Sequence, residues 1–458
     1  MVTERLVVVG GDAAGMSAAS QARRLKGHDE LEIIAFERGS TTSYAACGIP
    51  YWIGGLVEQR SSLIARTPDE FRDRHEIDAR VGHEVTAIDP DAATVTVRDL
   101  DADREFTESY DHLLIATGAQ PLRPPIDGIG LDGVFGVQTL DDGQRIIDAL
   151  DDRKPTKAVV IGAGYIGIEM AEAMCLRGME VHVVDALDQP MSTLDTELGE
   201  QVADAMREMG MTLHLGSPVD SIEAADDGWV TAVNADGMTI DTDLVVLGIG
   251  TRPFSDLARD AGIPIGSSGG IVVDRRQHTS VDGVWAAGDC AETVHRVSGE
   301  PVSIALGTIA NKQGRIAGIN LAGRYATFPG VLGTAVTKVC GLEMARTGLG
   351  EQAAADAGFV AQSATITSRT RAGYYPDAKP ITVKVVAECG TGRMLGAQIV
   401  GEEGAAKRID VFATAIWNSM TADDLSQADL SYAPPFSPVW DPVLIAARQA
   451  AAAVADAC

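Results

Sequence analysis

Two copies of one local pattern constrain the fold of this 458-residue chain more than any other feature. In the first copy, a β-branched run (6–9) leads into a glycine-rich turn (10–15), then a helical stretch through Arg24, then a second apolar run ending at Glu37. Such a turn lets a pyrophosphate approach the free N–H groups of a helix N-terminus, and the later acid binds ribose hydroxyls. The first copy therefore predicts a nucleotide site, although Asp12 replaces the middle glycine of the G-x-G-x-x-G fingerprint.

The second copy, at residues 158–185, keeps the whole fingerprint. Its three glycines are Gly162, Gly164 and Gly167, and Asp185 ends the next apolar run 18 residues after the last of them. One such match is weak evidence, but two complete units favour two dinucleotide-binding domains over two structural glycine turns. Asp185 would accept ribose hydroxyls and repel a 2′-phosphate, so NADH is predicted in preference to NADPH.

Two further segments fit a flavin site. An apolar run (113–116) closes on Thr117 and Gly118, and another (284–287) ends in Gly288 and Asp289, which could place a carboxylate on a ribityl hydroxyl. Ordinary strand exits would explain each segment equally well in isolation. After residue 330, strand-like runs (334–339, 381–386 and 394–400) precede two helical stretches (409–420 and 443–454), typical of a separate α+β domain used for dimerisation.

The predicted fold is α/β, with two Rossmann-like dinucleotide-binding domains, for FAD and NAD, and a C-terminal α+β dimerisation domain. We place the first part of the FAD domain at residues 1–120 and the NAD(P)H domain at 121–253. The second part of the FAD domain is expected at 254–328 and the dimerisation domain at 329–458.

Charge and cysteine usage exclude several classes of function. With 37 basic and 65 acidic residues, the net charge of −28 disfavours binding to nucleic acid or to anionic membrane surfaces. No uncharged apolar run reaches the roughly 18–20 residues of a membrane span. The six cysteines lie far apart without a C-x-x-C pair, which indicates neither a metal site nor a disulfide framework. We expect a soluble cytoplasmic protein with reduced thiols.

Cys47 is the cysteine whose position suggests chemistry. It follows Glu37 in the loop after the second strand of the first unit, where a side chain can reach a bound flavin ring. A cysteine near a helix start is expected to have a lowered pKa. Most lone cysteines only pack, and we expect this of the other five, including Cys458 in a frayed tail. A weaker alternative lets the Cys458 thiol reach the partner's Cys47.

These segments together resemble the FAD-dependent pyridine nucleotide-disulfide oxidoreductases over essentially the whole chain. More narrowly, the runs 43–51, 374–376 and 432–437 resemble the single-cysteine branch: coenzyme A disulfide reductases and related NADH oxidases and persulfide reductases. Relatives with a dithiol carry a second cysteine nearby and a C-terminal histidine; here Tyr51 and Trp52 follow Cys47, and the histidines end at His295.

The resemblance implies that Cys47 forms a mixed disulfide with coenzyme A in an enzyme that uses FAD and NADH. It implies a homodimer with a shared active site, in which Tyr374 and Tyr432 of the partner protonate the leaving thiolate. Tyr375 is the alternative to Tyr374, and interface aromatics without chemistry are the alternative to both. Substrate contacts are implied at Gln21, Arg24 and Ser43, although a solvated helix face explains Arg24 as well.

Two sets of cofactor contacts follow from the spacing and the resemblance together. FAD contacts are expected at Gly10, Ala14, Gly15, Glu37, Arg38, Val85, Ala116, Thr117, Gly118, Asp289 and Ala305. NAD contacts are expected at Gly162, Gly164, Tyr165, Ile166, Glu169, Asp185 and Gly250. No metal site is expected.

Three functions remain open at this point. The first is NADH-dependent reduction of coenzyme A disulfide, or of a persulfide of coenzyme A or another low-molecular-weight thiol. The second is an NADH oxidase that reduces O₂ through a Cys47 sulfenate. The third is a flavoprotein electron-transfer partner or redox-sensing protein. The fold cannot choose among them, because function depends on the site.

Overall fold

The computed structural model describes residues 3–458, and three five-stranded sheets organise this part of the chain. The elements of the first region are β1 (Glu4–Val9), α1 (Ala13–Leu25), β2 (Leu31–Glu37), α2 (Ile49–Ile53), α3 (Pro68–His75), β3 (Asp78–Val81), β4 (His83–Asp89), β5 (Thr94–Asp99), β6 (Arg104–Ser109) and β7 (His112–Ile115). Strand β1 pairs in parallel with β2 and β7, β2 pairs with β3, and β4–β6 form a separate antiparallel sheet.

The second region repeats this plan. Its elements are β8 (Ala119–Pro121), β9 (Val134–Gly136), α4 (Leu140–Arg153), β10 (Lys157–Ile161), α5 (Tyr165–Leu176), β11 (Glu180–Val184), α6 (Thr196–Glu208), β12 (Thr212–His214), β13 (Val219–Ala224), β14 (Val230–Ala235), β15 (Met238–Asp241), β16 (Leu244–Leu247) and β17 (Thr251–Pro253). The parallel sheet has the order β12–β11–β10–β16–β9, and β13–β15 form an antiparallel layer. Strand β17 pairs with β8, so the chain leaves this region beside its entry.

The chain then returns to the first sheet. The elements of this segment are α7 (Asp256–Asp260), β18 (Val284–Ala286), β19 (Thr293–Val294), β20 (Pro301–Val302) and α8 (Gly307–Leu321). Strand β18 pairs with β7 and completes the order β18–β7–β1–β2–β3. Helix α8 packs backbone-to-backbone on α1, because a Cβ at Gly314 would lie 2.2 Å from the carbonyl oxygen of Ala14. Only glycine permits this approach, which places α8 beside the first glycine turn.

The C-terminal region contains a five-stranded antiparallel sheet and four α-helices. Its elements are β21 (Ala335–Val339), β22 (Leu342–Gly348), α9 (Glu351–Asp356), β23 (Ala361–Arg369), β24 (Pro380–Glu388), β25 (Met394–Gly401), α10 (Ile409–Trp417), α11 (Ala422–Ser426) and α12 (Pro442–Ala457). The strand order is β21–β22–β25–β24–β23. Residues of α10–α12 bury the apolar face of β24. The two parallel sheets and this region confirm the predicted fold class.

The helix expected at 409–420 is shorter than predicted. It ends at Trp417, because Ser419 adopts a left-handed backbone with φ of 56° and the chain turns into the separate helix α11. Among the described residues, no helix is long and apolar enough to cross a membrane, and no group of three or more acidic, histidine or cysteine side chains is arranged to hold a metal.

The C-terminal cysteine corrects a prediction. Cys389 and Cys458 form a disulfide, with their Cα atoms 5.5 Å apart, whereas we expected reduced thiols and a frayed tail. The two cysteines are 69 residues apart in sequence, and the packing of α12 along β23 and β24 brings them together. Local pattern carries no signal for such a pairing. The remaining cysteines are free: Cys47, Cys175, Cys290 and Cys340.

Candidate active site

The first glycine turn leaves the N-terminus of α1 open. Gly10 has a φ of 111°, and a Cβ there would lie 2.2 Å from the carbonyl oxygen of Ala116. A Cβ at Gly15 would lie 2.0 Å from the carbonyl oxygen of Gly10, so both positions require glycine. At the end of β2, the Glu37 carboxylate accepts hydrogen bonds from the N–H groups of Gly11 and Gly39, at 2.7 Å each. The spacing noted in the sequence thus brings the turn and its acid into direct contact.

Asp289 offers the clearest sign of a ligand in the first region. Its Oδ1 is buried and has no hydrogen-bond partner among the described residues. Burial raises the pKa of Asp289 to about 6. An orphaned buried acceptor is costly, and a ligand hydroxyl would satisfy it. The ribityl chain of FAD carries such hydroxyls, so the residues present here fit this cofactor.

Other expected FAD contacts lie around these groups. The hydroxyl of Thr117 donates to the carbonyl oxygen of Phe254 at 2.5 Å, and the exposed Arg38 guanidinium stacks on the Phe254 ring at 4.9 Å. A Cβ at Gly118, whose φ is 73°, would have no other atom within 4 Å, so there is space beside this residue. The side chain of Val85 is buried in the core, so only its backbone is available to a ligand. Of the three remaining positions, Ala14 is buried in the first turn of α1, Ala116 is half-buried, and Ala305 is exposed just before α8.

The second glycine turn has the same geometry as the first. A Cβ at Gly167 would lie 2.0 Å from the carbonyl oxygen of Gly162, which has a φ of 100°. Asp185 accepts hydrogen bonds from the N–H groups of Ala163 at 2.6 Å and Leu187 at 2.8 Å. By contrast, the nearest atom to a Cβ at Gly164 would be 3.9 Å away, which leaves room beside the helix N-terminus for a phosphate. These residues fit an NAD cofactor.

Four expected NAD contacts remain: three lie on α5, and one lies beyond β16. Burial raises the pKa of Glu169, whose carboxylate accepts a hydrogen bond from the hydroxyl of Thr337 in β21 at 2.6 Å. Tyr165 and Ile166 are half-buried at the start of α5. Gly250 lies in the turn between β16 and β17, with φ of 93°.

Cys47 lies where the two nucleotide-binding regions approach each other. It is exposed, in a short 3₁₀ turn (Ala46–Gly48) directly before α2. Surrounding protein atoms raise the pKa of the thiol, and the carboxylates of Glu169 and Asp289 raise it further. The predicted lowering of the Cys47 pKa is therefore wrong as far as the protein's own groups determine it. The charges that act on the thiol are carboxylates rather than cations, and α2 has only five residues.

A cavity of about 480 Å³ lies between α1, α8 and the loop that leads to Cys47. It contains the three predicted substrate contacts, Gln21, Arg24 and Ser43. Its lining also includes three cations that the sequence interpretation missed and no acidic side chain; these cations are Arg66, Lys312 and Arg315. The spacing of Lys312 and Arg315 on one helical face could have signalled them, whereas nothing in the local sequence singles out Arg66.

The two predicted proton donors come together in the C-terminal region. The side chain of Tyr374 raises the pKa of Tyr432, although 58 residues separate the two in sequence. Both are exposed, Tyr374 by 79% and Tyr432 by 46%, and Phe436 and Trp440 are exposed in the same region of the chain. Two neighbouring phenols at an open surface are able to donate a proton to a ligand held by another subunit.

Comparison with known proteins agrees with these features. Residues 4–314 match the family described as pyridine nucleotide-disulphide oxidoreductase, and residues 334–442 match the dimerisation domain of that family. The chain is 38% identical over 449 residues to an NAD(P)H sulfur oxidoreductase (CoA-dependent) of Pyrococcus furiosus, covering 98% of this chain and 99% of the relative. A coenzyme A disulfide reductase of Staphylococcus haemolyticus is 30% identical over 436 residues, covering 94% and 96%.

Solved structures show the same architecture. A reduced Bacillus anthracis protein, CoADR-RHD, superposes with a TM-score of 0.95 at 36% identity, covering 99% of this chain and 81% of the other. The water-forming NADH oxidase of Lactobacillus brevis, bound to NADH, has a TM-score of 0.93 at 30% identity. An engineered variant of this oxidase, bound to NADPH, gives the same TM-score at 29% identity. Each of the two matches covers 99% of this chain and 99% of the oxidase.

Proposed function

Because the chain belongs to the FAD-dependent pyridine nucleotide-disulphide oxidoreductases, we propose that it uses NADH to reduce the disulfide of coenzyme A, or a persulfide of coenzyme A or another low-molecular-weight thiol, through Cys47. The observation that carries this proposal is the cationic cavity beside the Cys47 loop. Apart from Ala13, its lining residues lie outside both glycine turns, so it is available to a third, phosphate-bearing molecule.

The cavity suits coenzyme A, which carries a diphosphate and a 3′-phosphate. Arginine and lysine are the preferred partners of phosphate groups, and four such side chains line this cavity in a chain whose net charge is −28. Ser43 lines the cavity and lies four residues before Cys47 in the sequence. A coenzyme A molecule whose phosphates contact α1 and α8 would have its pantetheine arm directed along this loop toward the thiol.

The overall reaction balances as coenzyme A disulfide plus NADH plus a proton giving two coenzyme A thiols plus NAD⁺. The Cys47 sulfur attacks one sulfur of the substrate and forms a mixed disulfide, and the other half leaves as a thiol after it takes up a proton. Bound FAD supplies the path for the two electrons from NADH that free the second half. The absence of a vicinal cysteine, with Tyr51 and Trp52 after Cys47, supports a substrate thiol as the disulfide partner.

We assign the leaving-group proton to the Tyr374–Tyr432 pair of the partner subunit. A match to the family's dimerisation domain supports a homodimer, and both phenols are exposed on one subunit. Because the Tyr374 side chain raises the pKa of Tyr432 above the usual phenol value of about 10, Tyr432 stays protonated at neutral pH and can donate to a thiolate.

NADH is the proposed electron donor. The NADPH-bound oxidase variant has a Gly→Ala change and, 18 residues later, Asp→Ala followed directly by Ala→Arg. Gly167 and the pair Asp185 and Ala186 have the same identities and spacing in this chain. An aspartate at this place favours the free 2′-hydroxyl of NADH over a 2′-phosphate.

An NADH oxidase is the second candidate. The exposed Cys47 thiol and the similarity to the water-forming NADH oxidase support it. Mass measurement of the purified protein before and after reductant separates the two candidates. One coenzyme A released per subunit supports the reductase, whereas a sulfenate on Cys47 together with rapid NADH consumption in air supports the oxidase.

Replacement of Cys47 tests both candidates. We expect Cys47→Ser to retain FAD and to lose disulfide-dependent NADH oxidation under nitrogen by at least about 100-fold, because Cys47 is the exposed one of the four free cysteines in the described residues. Cys175→Ser, which removes another free thiol, is the matched control and should keep its rate. Unchanged turnover in Cys47→Ser would refute the proposal.

The cavity is tested through Arg24 and its neighbour. We expect Arg24→Gln to raise KM for coenzyme A disulfide roughly 10-fold or more through the loss of a charge-assisted phosphate contact, with less effect on a small uncharged disulfide. Arg23→Gln is the control, because Arg23 instead donates to the carbonyl oxygen of Glu76 at 3.0 Å. Equal effects of both variants on both substrates would argue against coenzyme A in this cavity.

A further inference from the structure

Asp12 has a role that its place in the glycine fingerprint does not explain. It is the residue directly before α1, and its side chain makes no capping hydrogen bond to that helix. Instead, its Oδ1 accepts a hydrogen bond from the backbone N–H of Tyr44 at 3.1 Å. The adjacent Gly11 carbonyl oxygen accepts the N–H of Ser43 at 2.9 Å. Two neighbouring residues of the glycine turn thus hold two neighbouring residues of the loop that carries Cys47.

The loop needs such a restraint at this place. Ser43 has a φ of 48°, a left-handed conformation that is uncommon and unfavourable for residues other than glycine. On its other side, the loop is paired by backbone hydrogen bonds from Ala45 to Leu63 and from Ala65 to Ser43, at 2.8 Å each. A glycine in place of Asp12 would leave the Tyr44 N–H without the partner described here. The middle position of the fingerprint therefore contributes to the shape of the reactive loop.

The charge of Asp12 acts on the same loop. The carboxylates of Glu37 and Asp289 face it from the ends of β2 and β18, and with burial they raise its pKa to about 6. In turn, the Asp12 charge contributes to raising the pKa values of both Tyr44 and Cys47. The hydrogen bond to Tyr44 holds the Asp12 carboxyl group against the loop, three residues before Cys47. There its charge adds to burial and to the larger effects of Glu169 and Asp289, and it disfavours the thiolate form of Cys47.

We propose that Asp12 is a positioning residue for Cys47: its carboxyl group ties the Cys47 loop to the first glycine turn, and its ionisation restrains the reactivity of the thiol. This deepens the proposed function, since it rests on Cys47 as the reacting group. The hydrogen bond and the charge are separable by substitution. Asp12→Asn keeps an acceptor oxygen and removes the charge, whereas Asp12→Gly removes both and restores the fingerprint residue.

The tie is tested by amide hydrogen exchange in the FAD-loaded protein. For peptides that contain Tyr44, we expect Asp12→Asn to exchange as the wild type does and Asp12→Gly to exchange about 10-fold faster, as expected for loss of about one hydrogen bond. Unchanged exchange in Asp12→Gly would overturn the tie. If the glycine variant does not retain FAD, Asp12→Ala serves for the same comparison.

The charge effect is tested by alkylation of Cys47 with iodoacetamide between pH 5 and pH 9, with peptide mass mapping to identify the modified thiol. We expect Asp12→Asn to move the pH profile of Cys47 to lower pH and to speed alkylation at pH 7 about two- to fivefold, because a like charge is removed. Cys175 in the same samples is the internal control. If Asp12 had a purely structural role, the pH profile of Cys47 alkylation in Asp12→Asn would coincide with that of the wild type. That result would overturn this part of the proposal.

These measurements are independent of turnover. If Cys47→Ser were fully active, the proposed function would fail while the exchange and alkylation results on Asp12 would stand. If Cys47 were essential but both Asp12 readouts were unchanged, only the inference about Asp12 would fail.

Discussion

Lys384, on the C-terminal sheet, lies with its Nζ 2.6 Å from Oε1 of Glu197 at the start of α6 in the second nucleotide-binding region. The same nitrogen is 2.9 Å from Asp195 and 3.0 Å from Glu351. The lysine side chain is only 2% exposed, and its hydrogen bonds to the three carboxylates more than offset burial and raise its pKa. This one cation therefore joins the second nucleotide-binding region to the C-terminal sheet.

We expect Lys384→Met to lower the free energy of unfolding by about 2–4 kcal/mol, because three carboxylates lose their common cation. Thermal and urea denaturation measure the change. The control is Lys379→Met, whose ion pair with Glu402 is largely exposed and should contribute under about 1 kcal/mol. Similar losses in the two variants would contradict the inter-region role of Lys384.

Asp289 gives a pH dependence whose sign is fixed by burial. Its folded-state pKa of about 6 lies above the unfolded value of about 3.9, so the unfolded chain releases the proton first and stability falls as pH rises through this window. We expect Asp289→Asn to stabilise the FAD-free protein relative to wild type. This gain in the free energy of unfolding should be larger at pH 8 than at pH 5 by about 1 kcal/mol.

Thermal denaturation of both proteins at the two pH values checks the Asp289 prediction. Asp282→Asn, at an exposed position nearby in the sequence, should show the same difference from wild type at pH 5 and pH 8. A pH-independent effect of Asp289→Asn would show that its carboxyl group titrates normally in the folded protein.

The coenzyme preference should be reversible at two positions. We expect the double variant Asp185→Ala, Ala186→Arg to lose at least about 10-fold in kcat/KM for NADH and to gain as much for NADPH, because arginine pairs with the 2′-phosphate that the aspartate repels. Steady-state rates with both coenzymes measure the ratio. Asp188→Ala, an exposed change in the same loop, is the control and should leave the ratio unchanged. An unchanged ratio in the double variant would place specificity elsewhere.

The phenol pair predicts a defect in proton donation. We expect Tyr432→Phe to lower kcat with coenzyme A disulfide roughly 100-fold, within the usual range for loss of a general acid. A disulfide whose leaving thiol has a low pKa should restore much of the rate, because it needs no proton. Tyr375→Phe tests the alternative register, and a larger loss there than in Tyr374→Phe would reassign the pair.

Features that depend on residues close in sequence could be predicted from the sequence. Both glycine turns and their acids, Glu37 and Asp185, were predicted from spacing, and the direct N–H contacts to those acids agree with it. The family was recognised from its motifs, and the matches over residues 4–314 and 334–442 confirm it. Parallel strands and glycine turns leave these signals because backbone geometry allows few residue types at each position.

The sequence by itself determined the two glycine-turn units and the fold class, and it predicted Cys47 as the reacting thiol. Tertiary structure decided what surrounds them: Arg66 joins the cavity of Arg24, Cys389 pairs with Cys458, and burial together with neighbouring carboxylates raises the pKa of Cys47. Local patterns reflect the preferences of a short stretch of backbone. Cavities, disulfides and pKa shifts depend on contacts between distant segments, which exist only after the helices and sheets have packed.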